Sequence, residues 1–198
     1  IGENAFFDFD ALKYYYKNEI SIESAIFIGS HWNFGHWIFN HLCRLFYVDT
    51  ATWENSKLVV SASLSKNYLD TLIEIGVPAK NIFMVSSGQI LNVEHLIIPQ
   101  MPWISNKDGL FVDPGIFPWL RKLLNVNVKT TGIKDKKIFI TRANTKHRRV
   151  TNEKELFKIA EGFGFILVDI GNLSVREQLL LGKETSHIIS PIGANSSF

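Results

Sequence analysis

Residues 136–153 read KKIFITRANTKHRRVTNE. The run at 138–141 is typical of a short β-strand, and the polar residues after it predict a loop with Arg142 at its mouth. Basic residues follow at 146–149, and the polar pair at 151–152 is of the type that caps helices. α/β proteins often bind ligands in such a loop, because a crevice opens beyond the carboxyl ends of parallel strands. This stretch therefore predicts an α/β fold with an anion-binding loop.

The rest of the chain repeats this alternation of strand and helix patterns. Strands are predicted at 25–29, 57–61, 82–85, 96–98, 165–168 and 188–189, and helices at 36–47, 66–75, 152–161 and 175–181. Alternation of this kind favours parallel sheets with right-handed crossovers. Four prolines interrupt the pattern between 99 and 131, where only 119–124 keeps helical spacing, so we expect a linker there. We therefore expect two Rossmann-type domains facing a cleft, at 1–125 and 126–198, the second of them incomplete.

Composition excludes several classes of protein. A chain of 198 residues, 46% of them hydrophobic, can bury a sizeable core, and a net charge of +2 predicts no nucleic-acid partner. The single cysteine, Cys43, excludes an internal disulfide and fits a reducing compartment. No apolar run approaches the ~18 residues that span a bilayer, so we expect no integral membrane segment. A cytoplasmic protein is expected, with peripheral contact at the inner face of the membrane left open.

A histidine-rich segment, GSHWNFGHWIFNH, occupies residues 29–41 after the first predicted strand. The helix predicted from there would place His36 in its first turn, where the helix dipole favours a neutral ring that can accept a proton. Asn40 lies four residues further on and so shares a helical face with His36, while Asn33 lies in the adjoining loop. The alternative is a capped helix with a histidine buried for packing.

Two sets of residues are candidate metal ligands. Steps of five residues separate His31, His36 and His41, which puts the last two on different helical faces, and no cysteine or carboxylate completes a zinc set. Asp8 and Asp10 form an acidic pair of the kind that can hold a divalent cation against a diphosphate. Such pairs are common by chance, and this one precedes the first predicted strand, so we expect a structural role.

The basic loop and a small-residue loop near residue 198 are the other candidate ligand sites. Arg142, Arg148 and Arg149 offer planar donor forks that match phosphate oxygens in pairs, and the following helix N-terminus adds partial positive charge. A solvated loop, or ion pairs with nearby glutamates, is the alternative. The small residues at 193–197 would let backbone approach a ligand closely, although they equally predict a plain tight turn.

Four segments in series resemble motifs of glycosyltransferase family 61, which includes bacterial capsular-polysaccharide enzymes and eukaryotic xylosyl- and N-acetylglucosaminyltransferases. Residues 33–45 resemble its Asn-Tyr-x-His-Trp-Leu-x-Asp-x-x-Pro-Arg-Leu segment, and residues 138–153 its Ile-Ser-Arg…Arg-Arg-x-x-Asn-Glu segment. Residues 174–178 resemble Ser-x-x-Glu-Gln, and residues 190–195 resemble Gly-Pro-His-Gly-Ala-Gly. The similarity extends from about residue 26 to the last residue.

The resemblance implies a GT-B-like fold and an inverting transfer of a hexosyl or pentosyl group from a nucleotide sugar, typically UDP-linked, to a glycan or polysaccharide. It implies no cofactor and no metal. Residues 1–125 would then form the acceptor side, with His36 as the catalytic base and Asn33 and Asn40 beside it. Residues 126–198 would bind the donor.

The donor-side residues also follow from the resemblance. Arg142, Arg148 and Arg149 would neutralise the diphosphate, and Glu177 would hold the ribose hydroxyls. The loop beside the diphosphate would be shaped by Gly193, Ala194 and Asn195.

Two departures from the family pattern motivate alternatives. Asn40 stands where the family has an aspartate, and Ile192 stands where it has a histidine. One alternative is therefore a catalytically inactive domain that binds a nucleotide or a glycan. Another is a metal-dependent transferase that uses Asp8 and Asp10.

Overall fold

The computed structural model of the chain describes residues 18–106, 109–126, 132–145 and 149–191. These residues form a four-stranded parallel sheet, a three-stranded parallel sheet and an antiparallel hairpin, with helices between the parallel strands. The predicted α/β class with parallel sheets is therefore confirmed, and the arrangement is compatible with a Rossmann-like fold. No helix among these residues is long and apolar enough to cross a membrane.

The larger sheet has the order β3-β2-β1-β4, and all its pairs are parallel. Its strands are β1 (Asn18–Phe27), β2 (Lys57–Ser61), β3 (Ile82–Val85) and β4 (Gln89–Ile97). The predictions for β2 and β3 are confirmed, whereas β1 and β4 begin at 18 and 89 rather than at 25 and 96. The early parts of these two strands pair with each other, from Asn18 opposite Gln89 onward.

The connection from β3 to β4 has no helix, so the prediction of helical crossovers is wrong for this pair of strands. Only residues 86–88 separate the two strands, which is too short for a crossover helix. Leu91 and Val93 of β4 line a common pocket with Val60 and Val85 of the opposite half of the sheet. The early part of the β1–β4 ladder therefore bends over one face of the sheet, and this bend brings the start of β4 near the end of β3.

Three helices follow β1 and β2 and cover the opposite face. Helix α1 spans residues 34–47, α2 spans Thr50–Asn55 and α3 spans Lys66–Glu74, and a 3-10 turn at Ala79–Asn81 leads into β3. The prediction of one regular helix over 36–47 is wrong in type. Helix α1 is α-helical over Phe34–His36, π-helical over Trp37–His41 and 3-10 over Leu42–Tyr47. Its inner side, which includes Trp37, forms the centre of the core.

The described residues of the segment predicted as a linker form regular elements that pack against the core. It contains the hairpin β5 (Trp103–Asn106) and β6 (Gly109–Val112), followed by α4 (Ile116–Val126). The Trp103 indole donates to the Phe39 carbonyl over 3.0 Å, and Ile116 and Leu120 belong to the same core as Trp37. The prolines interrupt the helix and strand periodicity there, but Ile116 and Leu120 on either side of Pro118 still bury.

The smaller sheet has the order β8-β7-β9, again all parallel. Strand β7 (Lys136–Ile140) is central, between β8 (Phe165–Val168) and β9 (Thr185–Ile189). Helix α5 (Glu153–Glu161) joins β7 to β8, and α6 (Val175–Glu184) joins β8 to β9. The strand, loop and helix predicted from residues 136–153 are therefore confirmed.

Candidate functional site

The two loops selected from the sequence occupy equivalent places in their sheets. The chain runs from β1 outward through β2 to β3 and then returns to the other side of β1, and it runs from β7 to β8 before returning to the other side of β7. In open parallel sheets, ligands bind beyond the carboxyl ends of the strands where the order reverses. The loop after β1 carries His31 and leads into α1, which carries His36 and His41, and the loop after β7 carries Arg142.

Asn33 is the N-cap of helix α1. Its side-chain oxygen accepts from the backbone N–H of Gly35 at 3.0 Å and from that of His36 at 3.3 Å. The backbone N–H of Asn33 donates to Nδ1 of His31 over 2.9 Å. The capping alternative is thus confirmed for Asn33, and its place beside an acceptor stays a prediction.

His36 is exposed and contacts Asn40, as their spacing predicts. The side-chain amide nitrogen of Asn40 lies 3.1 Å from Nδ1 of His36. In this orientation the amide nitrogen donates to Nδ1, and the ring proton sits on Nε2. With the amide turned over, its oxygen accepts from Nδ1–H, and Nε2 carries a lone pair that can take a proton. The pair can therefore support a base at Nε2 in one orientation of the amide.

The histidine that packs into the structure is His41, which is partly buried, rather than His36, which is exposed. Nδ1 of His41 lies 2.8 Å from the Ile28 carbonyl, so the ring donates its proton there. Burial lowers the pKa of His41, and neighbouring positive groups, led by Arg44, lower it further, against the opposing effect of the Ile28 contact. The His31 ring lies 4.7 Å from that of His36 and 6.3 Å from that of His41. Within the described ranges, no three His, Cys, Asp or Glu side chains form a metal-binding group.

Gly29 lets the loop after β1 turn against His41. Its φ is +78°, and a Cβ there would lie 2.8 Å from Nδ1 of His41. Gly76 has a φ of +101° but nothing within 4 Å of its added Cβ, which makes it a matched control. We expect Gly76→Ala to lower the free energy of unfolding by about 1–2 kcal/mol through backbone strain alone. Gly29→Ala should lower it by about 1–3 kcal/mol more through the collision.

Urea denaturation of the two variants measures this difference. Equal losses of unfolding free energy in the two variants would show that the imidazole of His41 moves aside at no energetic cost. The turn at Gly29 would then not hold that imidazole in place.

The loop after β7 is anchored by Glu153, the first residue of α5. Its carboxylate accepts a hydrogen bond from the Thr141 hydroxyl and a second from the backbone N–H of Arg142, at 2.9 Å. The Arg142 carbonyl accepts from the N–H of Thr145 at 3.1 Å and from its hydroxyl at 2.9 Å. The sequence leaves ion pairs between loop cations and nearby glutamates as the alternative. Among the described residues, the two oxygens of Glu153 hold the Thr141 hydroxyl and the backbone that presents Arg142, whose side chain is partly buried.

Arg149 closes the other end of this loop. Its Nε donates to the Thr145 carbonyl over 2.6 Å, and the rest of its side chain is exposed. Several predicted residues lie outside the described residues, namely Asp8, Asp10, Arg148, Gly193, Ala194 and Asn195.

Glu177 has a structural role that its spacing from Ser174 also predicts. The carboxylate of Glu177 accepts from the backbone N–H and the hydroxyl of Ser174, each at 2.7 Å, and the Ser174 hydroxyl accepts from the Glu177 N–H. This capping box begins α6. The hydrogen bonds from Ser174 lower the pKa of Glu177. Its contact with ribose hydroxyls stays a prediction.

Asp169 lies at the same edge and was not selected from the sequence. It directly follows β8, and its carboxylate accepts from the Asn144 amide at 2.9 Å, the Asn172 amide at 3.1 Å and the Gly171 N–H at 3.2 Å. It therefore ties the loop that carries Arg142 to the loop after β8. Its position in the sequence could have identified it as a candidate, because an acidic residue after the second strand of a Rossmann unit often contacts a ribose.

Comparison with known proteins identifies the family. Residues 34–197 match the model of the family described as Glycosyltransferase 61, and this range contains helix α1 with His36 and the loop after β7 with Arg142. No curated protein matches the chain. Because the family model covers most of the chain, the chain belongs to glycosyltransferase family 61 and is a glycosyltransferase.

Proposed function

We propose that this glycosyltransferase moves a sugar from a UDP-linked donor to a glycan or polysaccharide acceptor, with inversion at the anomeric carbon and without a metal ion. The observation that carries the proposal is the anchoring of Arg142 by Glu153 at the carboxyl end of the central strand β7. A GT-B-like cleft would bring this loop opposite the histidine loop.

The donor half of the proposal rests on charge. The departing diphosphate gains negative charge as the glycosidic bond breaks, and fixed cations stabilise that charge without reorganising. An arginine fork can bind two phosphate oxygens at once. The first turn of α5 contains two acidic residues, Glu153 and Glu155. Their negative charge offsets the partial positive charge of the helix N-terminus, so the helix adds little to phosphate binding. The arginines, with Arg142 first, therefore supply most of the positive charge.

The acceptor half of the proposal rests on His36. In one step, an acceptor hydroxyl oxygen forms a bond to the anomeric carbon while the bond from that carbon to the diphosphate breaks. The bonding electrons leave with the diphosphate, and Nε2 of His36 takes the hydroxyl proton. Asn40 would hold the ring in the required tautomer with its amide turned over, so that the oxygen rather than the nitrogen meets Nδ1.

A second candidate function is favoured by one specific observation. Asn40 is neutral, so it cannot stabilise an imidazolium as a carboxylate would. A domain that binds UDP-sugars without transferring them would tolerate this substitution.

Release of UDP separates these candidates. Given a UDP-sugar and a saccharide acceptor, the purified protein should release UDP faster than it does without the acceptor, and EDTA should leave this rate unchanged. NMR of the product should show an inverted anomeric configuration. UDP binding without release would support the non-catalytic alternative, whereas activity lost in EDTA and restored by Mg²⁺ would support a metal held by Asp8 and Asp10.

A further inference from the structure

A second cavity lies beside the histidine loop. It has a volume of about 370 Å³ and is lined by residues 30–32 after β1, residues 63–65 after β2 and Tyr68 of α3. Both loops stand at carboxyl ends of parallel strands in the larger sheet. Cavities of this size hold small molecules or single sugar rings.

The lining of this cavity combines apolar surface from Trp32 and Leu64 with hydroxyl groups and the His31 imidazole. Its hydroxyls come from Ser30, Ser63, Ser65 and Tyr68, and no carboxylate, lysine or arginine lines it among the described residues. The nearest charges on α3 neutralise each other, because the lysine at 66 and the aspartate at 70 form an ion pair of 2.6 Å. A hydroxyl can both donate and accept. The cavity therefore suits a neutral ligand that is rich in hydroxyl groups.

Trp32 provides a flat apolar surface at this cavity. Its side chain is 83% exposed, the most exposed large hydrophobic side chain of the described residues. Two contacts hold Trp32 in place. The Tyr68 hydroxyl donates to the backbone carbonyl of Trp32 over 2.6 Å, and the indole stacks on the His31 ring with 5.4 Å between the ring centres. The face of an aromatic ring is electron-rich and attracts the weakly polarised C–H groups of a sugar ring.

The cavity adjoins the proposed base. The His31 ring stacks on Trp32 on one side and lies 4.7 Å from the His36 ring on the other. The three rings therefore form a continuous row from the exposed indole to the side chain that would take the acceptor proton.

We infer that this cavity binds a neutral sugar ring of the acceptor, stacked on the Trp32 indole and hydrogen-bonded by the serine hydroxyls around it. This inference rests on the proposed function for the assignment of the sugar to an acceptor. Because no lysine or arginine lines the cavity among the described residues, it selects against uronic acids and other anionic sugars, whose carboxylate would find no permanent positive partner there. Trp32 is then a residue that determines acceptor specificity.

Fluorescence of the exposed indole tests the inference without relying on transfer. The probes are neutral oligosaccharides of glucose, galactose, xylose or N-acetylglucosamine. We expect at least one of the four to protect the tryptophan fluorescence of the protein from quenching by acrylamide. Trp32→Ala should abolish this protection, and glucuronic acid oligosaccharides should give none. Failure of every neutral oligosaccharide to protect, or equal protection by glucuronic acid oligosaccharides, would overturn the inference.

Steady-state kinetics supply the second readout. Trp32→Ala should raise the acceptor KM about tenfold and leave the donor KM unchanged, and Trp32→Phe should restore most of the difference. Phe163→Ala is the control, because Phe163 is also an exposed aromatic residue, at 69%, and follows α5 of the smaller sheet. This variant should change neither the acceptor KM nor the donor KM. An unchanged acceptor KM in Trp32→Ala would overturn the inference while transfer itself stands. Protection of Trp32 by a neutral oligosaccharide without UDP release would refute the proposed function and leave the sugar site in place.

Discussion

His36→Ala should lower the turnover number of sugar transfer by about 10²- to 10⁴-fold, because that is the usual contribution of a positioned general base. The donor KM should change little, since the imidazole acts on the acceptor proton rather than on the diphosphate. His36 is exposed, so its loss leaves no cavity in the core. Single-turnover measurements of UDP release would separate the chemical step from product departure. Unchanged turnover in this variant would remove His36 from the base role.

Two substitutions at Asn40 test which way the amide is oriented. Asn40→Asp places a carboxylate at Nδ1, which accepts the Nδ1 proton and leaves Nε2 as the base. If Asn40 already presents its oxygen, turnover should stay the same or rise, and the acid limb of the pH–rate profile should move to higher pH because the carboxylate favours the charged imidazole. Asn40→Ala should lower turnover less than His36→Ala does. A pH–rate profile that does not move in Asn40→Asp would argue against a catalytic His36–Asn40 pair.

Arg142→Ala should weaken UDP binding by about 10- to 100-fold, since hydrogen bonds to charged groups contribute about 1.5–3 kcal/mol each. The loop should keep its shape, because its anchor is the backbone N–H of Arg142 on Glu153, and an alanine retains that group. Arg142→Lys should recover part of the affinity, as a lysine supplies the charge without the planar fork. Isothermal titration with UDP measures each value.

Arg121→Ala is the matched control for this charge change. Arg121 lies on the exposed side of α4, so its removal alters the net charge by the same amount at a distant surface. UDP affinity should be unchanged in this variant. If Arg142→Ala binds UDP as tightly as the unmodified protein, the phosphate assignment is wrong, whatever the activity.

The sequence predicts best those elements whose residues are uniformly apolar. β2, β3 and β8 contain the runs KLVVS, IFMV and FILV, and the structure places them at the predicted residues. β1 and β4 extend seven residues earlier than their apolar runs do, because alternating polar residues there are stabilised by pairing with each other. That pairing joins segments about 70 residues apart, and no local pattern contains it.

The candidate site likewise contains features that the sequence predicts and features that it does not. The loops after β1 and β7 and the spacing of His36 and Asn40 are local properties, so the sequence predicts them. The hydrogen bond from Tyr68 to the Trp32 carbonyl joins a loop to a helix of the next βα unit. The double hydrogen bond of Glu153 depends on how a strand end meets a helix start. Such contacts follow from packing and become visible only in the fold.

The π turn at Trp37–His41 gives helix α1 room for one residue that a regular helix would not hold. A π turn holds one residue more than an α turn, and each residue of a regular helix advances about 100° around the axis. Deletion of one residue inside the π turn would therefore restore an α turn and leave Leu42 and Leu45 facing the core they now fill. Deletion of one residue from a regular turn before it would rotate both leucines by about 100°. The segment that presents His36 can therefore lose a residue at the π turn with less damage to the core than elsewhere in the helix.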